Sequence, residues 1–346
     1  MTDTMLKTPQ TYSGNAFTHI DFDRPGRQLG FISIPHSPHG DAWGVTQVPI
    51  AVIAHGEGPT VVIEGGNHGD EYEGPIAIGE LARGLDPGRV QGRLILLPAN
   101  NVHAVMAATR TSPVDGLNFN RVWPGDAMGT ITEQIAAYMA QRIFPMADAF
   151  LDLHSGGSSL DILPSAIVEP TPDADLHRRN IAAVQAFDAP YTVVISNLGD
   201  QRTATATACR AGLVTVGTEM RGGGTVSLDA LAICRRGVNN VLAHLGVIDG
   251  GDRRQEHADR PVLELAGPDS YIYAPVDGVF ESFHANGETV SAGQPAGRIH
   301  RIWDVSAEPL TLYYGRDGIV YGRRHPGRVS PGNCCVVVAS PYGDRQ

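Results

Sequence analysis

The residues of this chain best placed for chemistry are histidines and glutamates at the glycine-rich ends of apolar runs. The segment GGNHGDEYEG, residues 65–74, follows the run PTVVI and carries His68 and Glu71 three residues apart. A β-branched run that closes on two glycines reads as a buried strand ending in a tight turn. Open α/β sheets bind their ligands at the carboxyl ends of strands. A histidine and a carboxylate on one turn reach a single small cation, and two histidines, one glutamate and an open fourth position make a catalytic zinc shell. The HxxE spacing is weak evidence alone, so a second histidine is required. AFLDLHSGG supplies it: an apolar strand ends in His154 and then turns through glycines. Asp152 lies two residues earlier on the same strand face, placed to orient a ligand or to bond backbone.

Water activated at such a site needs a group to take its proton and pass it on to the leaving amine. Glu219, in LVTVGTEMRGG, is the candidate, again where an apolar strand gives way to glycines. The competing use of this glutamate is an ion pair with Arg221 or another arginine. The loop TRTSPVDGLNFNRVWPG adds Arg110, Asn118, Asn120 and Arg121. A guanidinium holds a carboxylate by two parallel hydrogen bonds, an asparagine amide can complete the fork, and a second arginine can steady an oxyanion. A second histidine pair, His36 and His39 in PHSPHGD, sits in a polar turn and is expected to face solvent.

These residues must be positioned by alternating elements. Residues 1–58 read as a small antiparallel lead-in, with runs GFISIPHS and WGVTQVPIAVIAHG broken by a turn. From residue 59 the pattern becomes strand, helix, strand: PTVVIEGG, then EGPIAIGELARGL at helical spacing, then RLILLPANN. Residues 101–130 show no sustained period and read as a functional loop. Thr130 or Thr132 is expected to cap the helix that follows, with Glu133 near its positive end. AFLDLHSGG, YTVVIS and LVTVGTEM read as central strands, and a helix is expected through SLDALAICRRGVNNVLAHLGV. The fold class is α/β: a mixed, mostly parallel sheet with helices on both faces, spanning a catalytic domain at 59–248. The polar run at 249–260 reads as a linker, and 261–346 as a C-terminal all-β domain of short alternating strands.

Composition narrows the function. Charged residues make up 18% and hydrophobic residues 42% of the 346, as in ordinary globular proteins. A net charge of -11 argues against non-specific binding to nucleic acid or anionic membrane. No run reaches membrane-span or signal-peptide length, so a cytoplasmic location is expected. Cysteines 209, 234, 334 and 335 show no CxxC spacing and are expected to be reduced and structural. Homo-oligomerisation is a base-rate expectation only.

The set HGDE, NR, DLHS and an EM-glycine turn, in this order, resembles the succinylglutamate desuccinylase and aspartoacylase family over most of residues 59–247. The resemblance implies a zinc carboxypeptidase-like fold with one Zn²⁺ per chain, held by His68, Glu71 and His154. It implies Glu219 as general base and acid, Asn120 and Arg121 as the carboxylate-binding pair, and Arg110 as the carbonyl-polarising arginine. Arg110 lies further from the Asn-Arg pair than in the best-known members. The implied substrate is a small N-acyl amino acid. Within the family, the DGLNFNRVWPG loop, the chain length and the appended β domain are most similar to the branch that deacetylates N-alpha-acetyl-L-2,4-diaminobutyrate in ectoine breakdown. The stretch IYAPVDGVFESFHANGETVSAGQPAGRIH resembles half of a lipoyl or biotinyl carrier. Such carriers need a lysine, and Lys7 is the only one in the chain, so a lid, an oligomer contact or a specificity wall is expected instead. The competing readings are a carboxypeptidase-like peptide hydrolase and a non-catalytic scaffold.

Overall fold

The apolar runs assemble into one large mixed sheet. The computed structural model describes residues 12–250 and 262–343. At the centre lie four parallel strands in the order Gly92–Leu97, Thr60–Gly65, Ala149–His154 and Val214–Glu219. Ser165–Val168 then joins antiparallel to Val214–Glu219, and Tyr191–Ile195 and Val262–Leu265 follow parallel to it. Antiparallel strands extend both ends, so the sheet is parallel within two blocks rather than throughout. The Gly26–Pro35 and Val45–His55 hairpin extends the sheet beyond Gly92–Leu97.

Period-two alternation assigns each strand residue to one of two cores. Val61, Ile63, Leu94, Leu96 and Leu151 pack on one face against the helices Glu73–Gly84, Ala174–Phe187 and Leu228–His244. Val62, Ile95, Leu97 and Phe150 pack on the other against Ile131–Tyr138 and Ala204–Arg210. Helices therefore cover both faces. Thr130 caps Ile131–Tyr138 in a reciprocal box with Glu133. The helices Ala174–Phe187 and Ala204–Arg210 and the strand Ser165–Val168 add to the sequence reading. The two helices are marked locally, the first by an Asp173 cap and the second by a Thr203 cap.

The long loop at 101–130 is anchored rather than loose. It contains a short helix, Val102–Ala107, and a single 3₁₀ turn, Phe119–Arg121. Phe119 and Trp123 are buried, and Trp123 stacks on Phe144 with ring centroids 5.5 Å apart. Asn118, Asn120 and Arg121 are thus held by the aromatic anchors interleaved with them. Phe119→Ala is expected to cost about 3–5 kcal/mol of unfolding free energy in denaturant titration. A loss below about 1 kcal/mol would show that the loop is held by other means.

The C-terminal strands enter two sheets. Leu310–Tyr313, Pro295–His300, Gly278–Ser282 and Arg328–Val329 form a separate four-stranded sheet. Cys334–Pro341 and Gly318–Arg324 instead continue the main sheet beyond Val262–Leu265. Phe280, Ile299 and Leu312 from the first meet Val320, Val336 and Val338 from the second in a common core. The linker expected at 249–260 lies outside the described residues except for its first two. All four cysteines are free thiols. Among the described residues no helix is long and apolar enough to cross a membrane.

Candidate active site

The parallel register brings the ligand candidates to one edge. Glu219 lies directly beside His154, and Gly65, just before the turn that carries His68 and Glu71, lies beside Leu153. That turn is pressed against the Val102–Ala107 helix: a Cβ on Gly69 would fall on the Ala104 carbonyl, so only glycine fits there.

Glu71 is the hub. It is 3% exposed, with Oε1 2.7 Å from His68 Nδ1 and Oε2 2.8 Å from His154 Nδ1, and Oε2 also accepts the Ser155 backbone N–H at 3.1 Å. The donor atoms of His68, Glu71 and His154 lie within 4.8 Å of one another. The far ring nitrogens are occupied as well: His68 Nε2 is 3.1 Å from Asn118 Oδ1, and His154 Nε2 is 2.9 Å from Asp152 Oδ1. Partners on the far side fix the tautomer and turn both Nδ1 atoms inward, the arrangement that metal-ligating histidines adopt. Thr205 donates to Asp152 Oδ2 at 3.0 Å and steadies it in turn.

The electrostatics follow from burial and proximity. Burial pushes Glu71 upward, but His68 and His154 outweigh it and hold the carboxyl below the ordinary range. Burial lowers His68. Burial also opposes charge on His154, yet Asp152 and Glu71 hold it well above the usual imidazole range. Glu219 is pushed up to about 8 by burial and then by the charge of Glu71, and among the described residues its Oε2 has no hydrogen-bond partner. A carboxylate between two imidazoles whose donor atoms converge, with Glu219 beside them, is a donor set that fits a divalent cation with N/O preference.

The loop residues reach the same cavity. Arg110 Nη1 lies 3.4 Å from His68 Nδ1 and 3.7 Å from Glu71 Oε1, with nearly half its side chain exposed. Asn120 accepts the Ala204 N–H at 2.9 Å and turns its amide nitrogen to within 3.4 Å of His154 Nε2. Arg121 donates to the Asn120 carbonyl at 2.7 Å and pairs with Asp200 at 3.2 Å. His68, Glu71, Arg110, Asn120, Arg121, His154 and Glu219 all line one cavity of about 310 Å³. The rival pairing of Glu219 with Arg221 is not made, because Arg221 turns to Asp229 and Asp161. His36 and His39 stay apart from this centre, with His36 edge-on to His103 and His39 exposed.

Sequence reasoning gave Asn118 no role and left out Glu64 and Glu169. Asn118 was one loop residue among others until its carbonyl met His68. Glu64 lies buried beneath the site, accepting hydrogen bonds from Asn67 and Asn100. Glu169 also lines the cavity; its signal was the run SAIVEP, an apolar strand ending in an acid.

Residues 57–245 match the model of the succinylglutamate desuccinylase/aspartoacylase catalytic domain. The chain belongs to this family. It is 39% identical over 322 residues to the N-alpha-acetyl-L-2,4-diaminobutyric acid deacetylase of Halomonas elongata, covering 92% of this chain and 93% of that protein. A succinylglutamate desuccinylase/aspartoacylase structure from Rhodobacter sphaeroides aligns with a TM-score of 0.88 and 44% identity, over 94% of this chain and 99% of that one. The product-bound ectoine utilization protein EutE (DoeB) of Ruegeria pomeroyi aligns with a TM-score of 0.90 and 38% identity, over 94% and 98%. As a member of the succinylglutamate desuccinylase/aspartoacylase family the protein is a hydrolase, a deacylase of metal-dependent type.

Proposed function

We propose that the protein hydrolyses N-alpha-acetyl-L-2,4-diaminobutyrate to acetate and 2,4-diaminobutyrate, as a step of ectoine degradation, using one zinc ion per chain. The observation that carries the reading is the convergence of His68, Glu71 and His154 on one point with Glu219 beside them. The Halomonas relative's named substrate and the Ruegeria protein's role in ectoine use support the choice of substrate. A cavity of about 310 Å³ is at the small end for ligand sites, which favours an acyl amino acid over a peptide.

His68 Nδ1, Glu71 and His154 Nδ1 would hold the ion. When bound, zinc supplies Lewis acidity that polarises the amide carbonyl and acidifies water. The chain supplies the rest. Glu219 takes the proton of the attacking water and returns it to the departing amine, so that one carboxyl serves both halves of the reaction. Arg110, at the cavity mouth beside Glu71, faces the charge that develops on the carbonyl oxygen. Arg121 and Asn120 bind the α-carboxylate and fix which bond lies over the ligands. The strand Gly318–Arg324 and His325 just after it back the 156–163 segment that walls the cavity, a specificity wall supplied by the C-terminal strands.

Purified protein should contain about one zinc per chain and release amine from N-alpha-acetyl-L-2,4-diaminobutyrate well above a panel of N-acetyl and N-succinyl amino acids. Turnover confined to another N-acyl amino acid would retain the mechanism and discard the substrate. No bound metal and no hydrolysis after zinc addition would overturn both.

A further inference from the structure

We propose that Glu169 receives the side-chain ammonium of the substrate's amino-acid half, an assignment that rests on the deacylase reading above. Glu169 follows directly on the Ser165–Val168 strand. Glu219 lies opposite Ser165 and Gly217 opposite Ile167. Continued alternation puts Glu169 on the same sheet face, deeper than the ligands. This face is the cavity floor: Gly217, Ile167 and Glu169 line it, with Ile195, Thr203 and Thr205 around them. A Cβ on Gly217 would crowd the Ile167 Cβ at 3.1 Å, and the bare glycine leaves the floor open between Glu219 and Glu169.

The cavity is lined by four carboxylates, and three have work. Glu71 joins the two histidines, Asp152 holds His154 and Thr205, and Glu219 moves the proton. Glu169 is only 3% exposed, and among the described residues no hydrogen bond or ion pair is made to its carboxyl. Arg210, the nearby cation, spends its guanidinium on Gln201 and Thr207. Without a partner, burial pushes Glu169 up to about 8, with Arg210 opposing and Asp152 adding to the shift. A buried carboxyl at the inner end of a cavity, walled by isoleucines and threonines, lacks one thing, a cationic donor. A short amino acid with a terminal ammonium brings that donor. A side chain ending in carboxylate is repelled, and an uncharged one leaves the acid unpaired.

The test compares the zinc-loaded wild type with Glu169→Gln and Glu169→Asp. Substrates are N-alpha-acetyl-L-2,4-diaminobutyrate and N-acetyl-L-2-aminobutyrate, its analogue without the side-chain ammonium. The wild type should prefer the charged substrate in kcat/KM, and Glu169→Gln should lower that preference at least about tenfold, mainly through KM. Zinc content should be unchanged, and Glu169→Asp should retain part of the preference. An unchanged preference in Glu169→Gln overturns the assignment. If the wild type hydrolyses neither substrate, the deacylase reading is what has failed. Calorimetric binding of free 2,4-diaminobutyrate against 2-aminobutyrate then decides on Glu169: selective binding lost in Glu169→Gln upholds it, and equal binding by the wild type overturns it.

Discussion

Glu219→Gln is expected to keep its zinc and lose about 10³–10⁴-fold in kcat. The argument is geometric before it is electrostatic. Glu219 sits in register with His154 at the end of adjacent parallel strands, so its carboxyl stands beside the ligand cluster without being part of it. Among the described residues its Oε2 has no hydrogen-bond partner, which leaves it free for water and the leaving amine. Glutamine preserves the volume and removes the proton acceptor. A base must be unprotonated to act, so wild-type activity should fall as pH drops through the Glu219 pKa. In the bare site that value is about 8. A dication beside the carboxyl favours its charged form and places the acid limb lower. The residual activity of the variant should lack this limb. A variant retaining more than about a tenth of wild-type kcat would remove Glu219 from the mechanism and revive the scaffold reading for any function that survives.

Glu71→Gln is expected to fall to less than about a tenth of a zinc per chain after dialysis, with kcat/KM reduced about 10³-fold or more. Glu71 is the one acidic member of the cluster and touches both histidines. Its charge is also what offsets burial of the His154 imidazole, together with Asp152. An amide accepts through one oxygen only and carries no charge to offset a dication. Thermal melts provide a second readout. Zinc at a thousandfold excess over its Kd should stabilise the wild type by about 4 kcal/mol, and the variant should show no comparable shift. Full zinc content in Glu71→Gln would mean that the metal is held elsewhere. Because Glu71 is held below the ordinary range, it contributes stability above the unfolded carboxylate pKa and loses it as pH falls through the lower folded value.

The sequence made the ligand set readable for a physical reason. What it made readable is the cluster of His68, Glu71 and His154 with Glu219 beside it: the runs that carry them are apolar and close on glycines, and parallel strands bring such ends to one edge. Arg110, Asn120 and Arg121 were readable as residue types in a loop, while the seats of the last two depend on Phe119 and Trp123 packing into a core contributed by distant segments. Glu169 shows where local pattern stops being informative. Its run looks like that of Glu219, but Ser165–Val168 runs the opposite way, so its end points into the cavity floor instead of to the metal edge. Strand direction is set by non-local pairing, which periodicity does not encode. The same limit hid the union of the C-terminal strands with the main sheet.

That union bears on how the chain tolerates being cut. Val262–Leu265 is hydrogen-bonded between Tyr191–Ile195 and Cys334–Pro341, Gly318–Arg324 pairs with the Leu160–Ile162 strand, and the Tyr321 hydroxyl meets Ser165 at 2.6 Å. Covalent continuity between residues 250 and 262 is therefore not what holds the two parts together. A cut there would leave these pairs in place, and the cavity is lined by residues 68–219 alone.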